Sequence, residues 1–534
     1  MPREILLGDE AVALGAVHAG LGGAYAYPGT PASEVMEFLL SRAGRGGFRA
    51  SWSVNEKTAF EEALGCSFAG RRALVAFKHV GLNVAADPFM SAALTGANGG
   101  LVVVAADDPG MHSSQNEQDS RFYAQFAQIP CFEPADHQAA YDQTREAFDL
   151  SERVGLPVMV RLVTRLAHSR AGVETRPPLP QSGRGPGARQ AWTLLPTNAR
   201  VRYRRLLDLQ SELANNSEGS PWNRLDLNPA SRALGVIASG IGANYVRENI
   251  PPGPDRPSFL EVSVYPTPEE LVRRLAAHCE KLLVVEEGAP LIERAIRGIF
   301  GLPGRTVKGR MSGHLPLQGE LTPESVRHAL GLPPLPQRAP IGLRLSARPP
   351  QLCVGCPHGD TFKALKEALT DFPGGTVFSD IGCYTLGYFP PYGAIDTCVC
   401  MGASIGMARG AAEAGLFPSV AVISDSTFGH SGITALLGAA AAEANVVVVI
   451  LDNGTVAMTG TQPSFSTGER LLKVVEGLGV PPAHIRVIIP LLKHHGENVL
   501  VFREEIAHRG PSVVVAVREC LEETKKKVKG GGPS

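Results

Sequence analysis

The sequence predicts an α/β protein in which two doubly wound domains flank a smaller α/β domain. Three observations predict it. Short apolar, β-branched runs recur along the chain and end abruptly in small or oxygen-bearing residues. That is how a buried parallel strand reads as it delivers a loop to the carboxyl edge of a sheet. Amphipathic stretches of helical length separate those runs. Two segments rich in Pro, Gly or Arg, from Arg170 to Gln190 and from Leu332 to Pro350, divide 534 residues, too many for one core, into three parts of ordinary domain size.

In the first part, residues 1–175, the runs Ala24 to Tyr27, Ala73 to Phe77, Leu101 to Ala106 and Val158 to Val163 read as strands with helical patterns between them. A linker follows, because Pro and Gly interrupt Arg170 to Gln190 too often for a regular element. The middle part, 190–330, opens with a helix rich in Arg, Leu and Glu to about residue 215 and continues with strands at Leu234 to Ala238, Ser258 to Val264 and Lys281 to Val285. After the second linker, the third part, 351–522, shows strands at Thr376 to Phe378, from Val420, from Val446 and at Val513 to Val517. The tail 523–534, Lys-rich and then Gly-rich, reads as a frayed, solvated, flexible end.

Composition excludes several classes. The 51 basic residues balance 52 acidic ones, so no polyanion or nucleic-acid partner is expected. The N-terminus carries charge where a signal peptide needs an apolar core, and no apolar run reaches the roughly 20 residues of a spanning helix. A cytoplasmic protein with no membrane partner is expected. Nine cysteines in a large intracellular chain point to metal binding, catalysis or burial rather than a disulfide scaffold.

Chemistry concentrates where two runs of the third part end. Val420 to Ser424 delivers Asp425, and Val446 to Leu451 delivers Asn453 and the carbonyl of Thr455. A carboxylate, an amide oxygen and a carbonyl, completed by phosphate and water oxygens, suit Mg²⁺. The bland alternative is an incidental Asp and Asn at strand ends. Glu56 follows a short strand and opens a helix, where a carboxylate is also routine dipole compensation. Cys353 and Cys356 form a C-x-x-C ahead of a helix, Cys383 sits in a loop after Thr376 to Phe378, and Cys520 follows Val513 to Val517. Four thiolates meet the needs of one iron–sulfur cluster, a zinc site has the same ligands, and a redox pair or core cysteines remain open. Cys66, Cys131, Cys279, Cys398 and Cys400 read as small buried hydrophobes.

Tyr27-Pro-Gly-Thr-Pro31, Asn55-Glu-Lys57, Ala76-Phe-Lys-His-Val-Gly-Leu-Asn83 and the stretch Asp107 to Asp119 resemble, in order, the large subunit of indolepyruvate:ferredoxin oxidoreductase. So do Cys353-Val-Gly-Cys-Pro-His358, Asp380 to Gly387, Cys400-Met-Gly-Ala-Ser404 and Asp452 to Gly460. That family belongs to the 2-oxoacid:ferredoxin oxidoreductases, which use thiamine diphosphate. The resemblance implies Glu56 as the carboxylate on N1′ of the aminopyrimidine and Asp425, Asn453 and Thr455 as the Mg²⁺ site. Ser426, Gly382, Met401 and Gly402 would contact the cofactor. Cys353, Cys356, Cys383 and Cys520 would hold one [4Fe–4S] cluster. Thr30 and Lys78 would meet substrate, and His79, His112 and His430 are proton-transfer candidates, each of which could equally be a hydrogen-bonding loop residue.

By the same resemblance, the cofactor would lie in a V between the first and third domains. An aryl 2-oxoacid of the indolepyruvate or phenylpyruvate type would lose CO₂, pass two electrons singly to the cluster, and yield an acyl group to coenzyme A. A smaller subunit of the complex, a dimer of this chain, and ferredoxin or an electron-transfer subunit are the expected partners. The chain departs from the pattern in several places. Ser424 and Ser426 replace the usual glycines, Thr461 and Ser464-Phe465 stand where histidines are frequent, and no C-x₂-C-x₂-C-x₃-C run of a ferredoxin-like domain occurs. The rival readings are a non-oxidative decarboxylase or carboligase, which needs no four-cysteine site, and a catalytically silent scaffold.

Overall fold

The computed structural model describes residues 2–181, 184–185, 192–250, 253–298, 306–335 and 351–529. The chain forms two compact units, Met1–Pro340 and Ile341–Ser534.

In the first unit a sheet runs in the order Val264–Tyr265, Cys131–Phe132, Val158–Val163, Leu101–Asp107, Ala73–Lys78, Gly23–Ala26 and Arg49–Trp52. All neighbours are parallel except the first pair. Every residue of Leu101–Asp107 and Val158–Val163 is buried, which explains their apolar character, interrupted only by Asp107 and Arg161, which pair with each other. The carboxyl ends of four adjacent strands therefore deliver the loops of Asp108, Lys78, Thr30 and Glu56 to one edge.

The middle segment builds its own five-stranded sheet, Thr306–Lys308, Lys281–Val285, Leu234–Ser239, Ser258–Val262 and Arg224–Asp226. It is nevertheless packed into the same unit as the first, where the expected domain division falls. Tyr265 pairs with Cys131 across the junction. Arg121, buried, reaches Glu286 Oε2 at 3.2 Å and the Tyr265 hydroxyl at 3.1 Å, and Tyr265 donates to Glu133 at 2.5 Å. Two buried guanidiniums, Arg121 and Arg161, are thus matched by Asp107, Asp119, Glu133 and Glu286. Removing either arginine would leave buried charge unpaired.

Two expectations about the connecting segments are corrected. Arg170–Glu174 is a strand, antiparallel to Arg3–Leu7, with Val173 buried beneath it. The segment beyond it lies against the first sheet's domain: Leu179 N–H donates to His18 O at 2.9 Å, and Gln181 Nε2 to Gly47 O at 2.7 Å. The rest of that linker, and most of the second, fall outside the described residues. The tail is helical, Leu521–Lys529, because Glu522 pairs with Lys525 within one turn and Lys526 Nζ donates to Gly460 O at 2.6 Å. Residues 530–534 lie outside the described residues.

The second unit is a parallel sheet, Thr376–Ser379, Ser419–Ser424, Val446–Asp452, Ser512–Val517 and Ile485–Ile488. Alternate residues of its strands feed two separate cores. Val420, Val422, Val447 and Val449 pack with Phe362 and Phe502, whereas Ala421, Ile423, Val448 and Ile450 pack with Ile405, Leu436 and Leu471. Helices Pro357–Leu369 and His495–Ala507 cover the first face, and Ala403–Glu413, Ile433–Ala441 and Gly468–Gly477 the second. Each such Val or Ile contributes roughly 1.5–3 kcal/mol of burial. With both faces covered, polar residues are confined to the sheet's ends, and there Asp380, Asp425, Asn453 and Cys520 emerge from four adjacent strands.

Candidate functional site

In the second unit, strand Ser419–Ser424 hands its last residue to a one-turn helix that Ser424 caps. This places Asp425 at 0% exposure with neither carboxylate oxygen hydrogen-bonded. Burial, followed by repulsion from Asp452, pushes its carboxyl up to about 8, although the Ser464 hydroxyl and the amides of Ser426 and Asn453 lie near enough to favour the anion. A fully buried carboxylate without a partner is costly, and a cation facing those two oxygens removes the cost. The donor set beside it fits Mg²⁺. Asn453 is buried, Thr455 is buried, and the Asn453 Oδ1 accepts the Thr455 amide at 3.1 Å, which orients that side chain. Asn453 Nδ2 lies 3.3 Å from His358 Nε2. Burial lowers His358 to about 4, so at neutral pH its ring accepts this contact and holds the amide oxygen away from itself.

Ser426 lies beside Ser424, 3.2 Å between hydroxyls, and is half-buried. Gly402, with φ of +82°, starts helix Ala403–Glu413, and a Cβ there would come within 2.4 Å of Ser431 Cβ. His430 is buried and its Nδ1 bonds Ser431, so Gly402 and His430 converge on one serine, with Met401 half-buried alongside. Gly382 donates to Thr385 Oγ1 at 3.1 Å and leads into a short 3₁₀ turn starting at Cys383.

Cys353, Cys356, Cys383 and Cys520 lie within electrostatic reach of one another, but among the described residues their sulfurs do not converge within ligand range of a single ion. Burial pushes the Cys383 thiol up to about 12, with further contributions from Cys356, Cys520 and Cys353. Cys356 rises to about 11, again through burial first, although the His358 and Gly359 amides at its helix start oppose the shift. Those amides are the kind of donors that stabilise cluster-bound sulfur. Cys520 N–H donates to Asn453 O at 3.1 Å, which ties the last cysteine directly to the Asp425 neighbourhood. Among the other cysteines, Cys131 and Cys279 are buried as expected; Cys66 is half-buried, and Cys398 and Cys400 are exposed, because they lie on a loop rather than on a strand.

In the first unit Glu56 opens helix Glu56–Phe68, capped by Asn55, whose Oδ1 accepts the Thr58 amide at 2.8 Å. Glu56 is buried, and Gly81 makes room for it: a Cβ on Gly81 would stand 2.6 Å from Glu56 Oε1. Gly81 belongs to helix His79–Val84, which begins at His79. His79 Nε2 lies 3.1 Å from Asn116 Oδ1. Lys78 Nζ donates to Ser113 O at 2.7 Å, and Ser113 Oγ contacts Thr30 O at 3.4 Å. Burial, partly offset by Asp108, brings the Lys78 ammonium down to about 8. Thr30, Lys78, His79 and Glu56 thus share one edge. His112, next to Ser113 in sequence, is exposed and lies 3.5 Å from Glu320 Oε2.

Several supporting residues carried no signal in the residue pattern alone. Asp108 accepts from the Ser113 amide, Ser114 Oγ and Thr164 Oγ1 and so folds the loop that meets Lys78. Asp380 accepts from Tyr384 and from the Ser404 amide at 3.0 Å, and burial raises it to about 6. His358 and Asp108 both stand inside motifs quoted above, but nothing local distinguishes them from their neighbours.

Among the described residues, no helix is long and apolar enough to cross a membrane. Residues 14–182 match the family of pyruvate flavodoxin/ferredoxin oxidoreductase thiamine diphosphate-binding domains, and residues 380–516 the C-terminal thiamine pyrophosphate-binding domain of thiamine pyrophosphate enzymes. The chain is 38% identical to the indolepyruvate oxidoreductase subunit IorA of Archaeoglobus fulgidus and 40% identical to that of Methanothermobacter thermautotrophicus, in each case over 97% of this chain and 86% of the relative. It also resembles in fold a 2-oxoglutarate:ferredoxin oxidoreductase of Magnetococcus marinus, at TM-score 0.50 and 17% identity, over 62% of this chain and 65% of that one. Each matched domain carries one of the residue clusters described above, and with relatives this similar along nearly the whole length, the chain belongs to the indolepyruvate oxidoreductase A-subunit family of thiamine diphosphate-dependent 2-oxoacid:ferredoxin oxidoreductases.

Proposed function

We propose that this chain oxidatively decarboxylates an aryl 2-oxoacid of the indolepyruvate or phenylpyruvate type, yielding acyl-CoA and CO₂, with electrons leaving through one [4Fe–4S] cluster to ferredoxin or a partner subunit. The observation that carries this reading is Asp425, buried and unpartnered, next to an Asn453 whose carbonyl is bonded to Cys520. A backbone hydrogen bond between the Asn453 loop and one of the four proposed cluster cysteines supports a reaction that must export electrons, because a non-oxidative decarboxylase needs no four-cysteine site.

Thiamine diphosphate, when bound, supplies the carbon nucleophile and electron sink on which 2-oxoacid decarboxylation depends. The chain's own residues do the rest. Asp425, Asn453 and Thr455 would hold Mg²⁺ to neutralise the diphosphate, and Ser426, Gly402, Met401 and Gly382 would contact the cofactor. Glu56, enclosed by Gly81, holds a proton against the ring nitrogen of the aminopyrimidine. Lys78 attracts the substrate carboxylate, Thr30 positions it, and His79, fixed by Asn116, and His430, fixed by Ser431, are placed to relay protons. Cys353, Cys356, Cys383 and Cys520 hold the cluster.

A smaller subunit and coenzyme A complete the reaction. Steady-state rates with indolepyruvate, phenylpyruvate, 2-oxoglutarate, branched-chain 2-oxoacids and pyruvate, for the chain alone and co-expressed with its partner, test both parts. Aryl substrates should have the highest kcat/KM and only the complex should reduce ferredoxin. A preference for pyruvate would overturn the substrate assignment, and full coupled activity of the lone chain would overturn the partner.

A further inference from the structure

Asp9, Glu34 and His168 take no part in the chemistry proposed above. Asp9 is the second residue of helix Gly8–His18, Glu34 the second of Ser33–Gly46, and His168 the last of Thr164–His168. One ligand atom from each lies within 4.8 Å of the other two. Acidic residues in first helical turns are ordinary dipole compensation. That explains Glu10, which accepts the Leu7 amide at 2.8 Å and faces Arg170 at 3.6 Å. It does not explain Asp9, which has 0% exposure and no hydrogen-bond partner on either oxygen. The approach of the three elements is enforced by backbone packing: a Cβ on Gly8 would stand 2.2 Å from the carbonyl oxygen of Leu166, two residues before His168.

We propose that Asp9, Glu34 and His168 bind a divalent first-row transition-metal cation, at a site separate from the Mg²⁺ site of Asp425. Mg²⁺ and Ca²⁺ favour all-oxygen shells, whereas two carboxylates with one imidazole suit Zn²⁺ or Mn²⁺, Zn²⁺ binding more tightly. Glu34 is half-buried and His168 exposed, so solvent reaches the cation and supplies the remaining ligands. The bound cation would brace the turn that carries Thr30, since Glu34 follows Ser33, whose Oγ accepts the Gly29 amide at 2.9 Å. The competing occupant is a proton. Burial, then Glu34 and Glu10, hold the Asp9 carboxyl well above the usual carboxylate range, and His168 lies 3.4 Å from Glu34, so a neutral Asp9 beside an ion pair is the metal-free alternative.

The experiment is a Mn²⁺ titration, followed by continuous-wave and pulsed electron paramagnetic resonance, of the full chain carrying Asp425→Ala and freed of metal by chelation. The expected result is one saturable Mn²⁺ with nitrogen coupling from an imidazole, displaced by Zn²⁺. Asp9→Asn, which is nearly isosteric, and His168→Gln, at an exposed position, should each weaken binding at least about tenfold, and His168→Gln should also abolish the nitrogen coupling. Absence of saturable binding, or a nitrogen-free signal unchanged by Asp9→Asn, would overturn the site in favour of the proton. The Asp425→Ala background keeps this outcome independent of the proposed function.

Discussion

At Asp425 a carboxylate lies wholly out of water, without a hydrogen bond, beside a second acid. Its removal should therefore leave the unliganded fold intact or slightly more stable, while eliminating the response to cofactor. We expect Asp425→Ala to melt at or above the parent temperature without ligand and to show no thermal shift with thiamine diphosphate and Mg²⁺. The parent should gain about 2.7 kcal/mol at a ligand concentration near 100 times Kd; a shift of that size in the variant would remove Asp425 from the site. Lys78 offers a test in pH. Its folded value is lowered to about 8 by burial, so it is charged below that pH and neutral above. If it meets the substrate carboxylate, kcat/KM falls as the pH rises through about 8, and Lys78→Arg, which keeps the charge, moves that limb upward. The effect on stability has the opposite sign: the unfolded chain keeps the proton to about pH 10.4, so this residue's contribution to unfolding free energy grows between the two values. A limb unchanged in Lys78→Arg would assign the titration to another group.

At the scale of elements, short helices placed at strand ends set the positions of the reacting groups. The segment His79–Val84 matters less for what it exposes than for the gap at Gly81, into which Glu56 fits. Alanine is the better helix former by about 1 kcal/mol, so Gly81→Ala should fold at least as well as the parent. Its methyl group must displace the Glu56 carboxylate, and a misplacement of this kind costs roughly 100-fold in rate. The same collapse of cofactor C2–H exchange is expected for Glu56→Gln, with binding of the cofactor retained in both. Normal deuterium exchange in Gly81→Ala would show that the gap is incidental to the position of Glu56.

Over the whole molecule, chemistry collects along the carboxyl edges of two parallel sheets, each inside its own unit. In the second unit the four cysteines proposed as ligands come from a helix start, a 3₁₀ turn and the segment after the last apolar strand, so a shared cluster would depend on the sheet being assembled. Anaerobically prepared protein should contain about four irons per chain, and Cys520→Ser should lose iron as fully as Cys353→Ser despite lying far from the C-x-x-C in sequence. Iron and sulfide assays of both variants beside the parent decide this; unchanged iron in Cys520→Ser would eliminate the fourth ligand.

The sequence by itself determined the buried strands, their order of chemistry-bearing loops and the family. Strands such as Val158–Val163 and Lys281–Val285 begin and end where their apolar runs do, because burial on both faces of a parallel sheet leaves a continuous local signature. Asp425 and Asn453 stand where such runs stop, whereas Glu56 follows the part-exposed strand Arg49–Trp52 and was singled out through the family resemblance. Tertiary structure alone decided what has no local period. The strand Arg170–Glu174 exists because Arg3–Leu7 pairs with it, and the middle sheet joins the first through Arg121, Glu286 and Tyr265. The missing partners of Asp425 and Asp9, the contact of Cys520 with Asn453 and that of His112 with Glu320 all follow from packing between residues distant in the chain. Periodicity reports which face of an element meets a core; it does not report which other element lies there, and a site is built from the second kind of information.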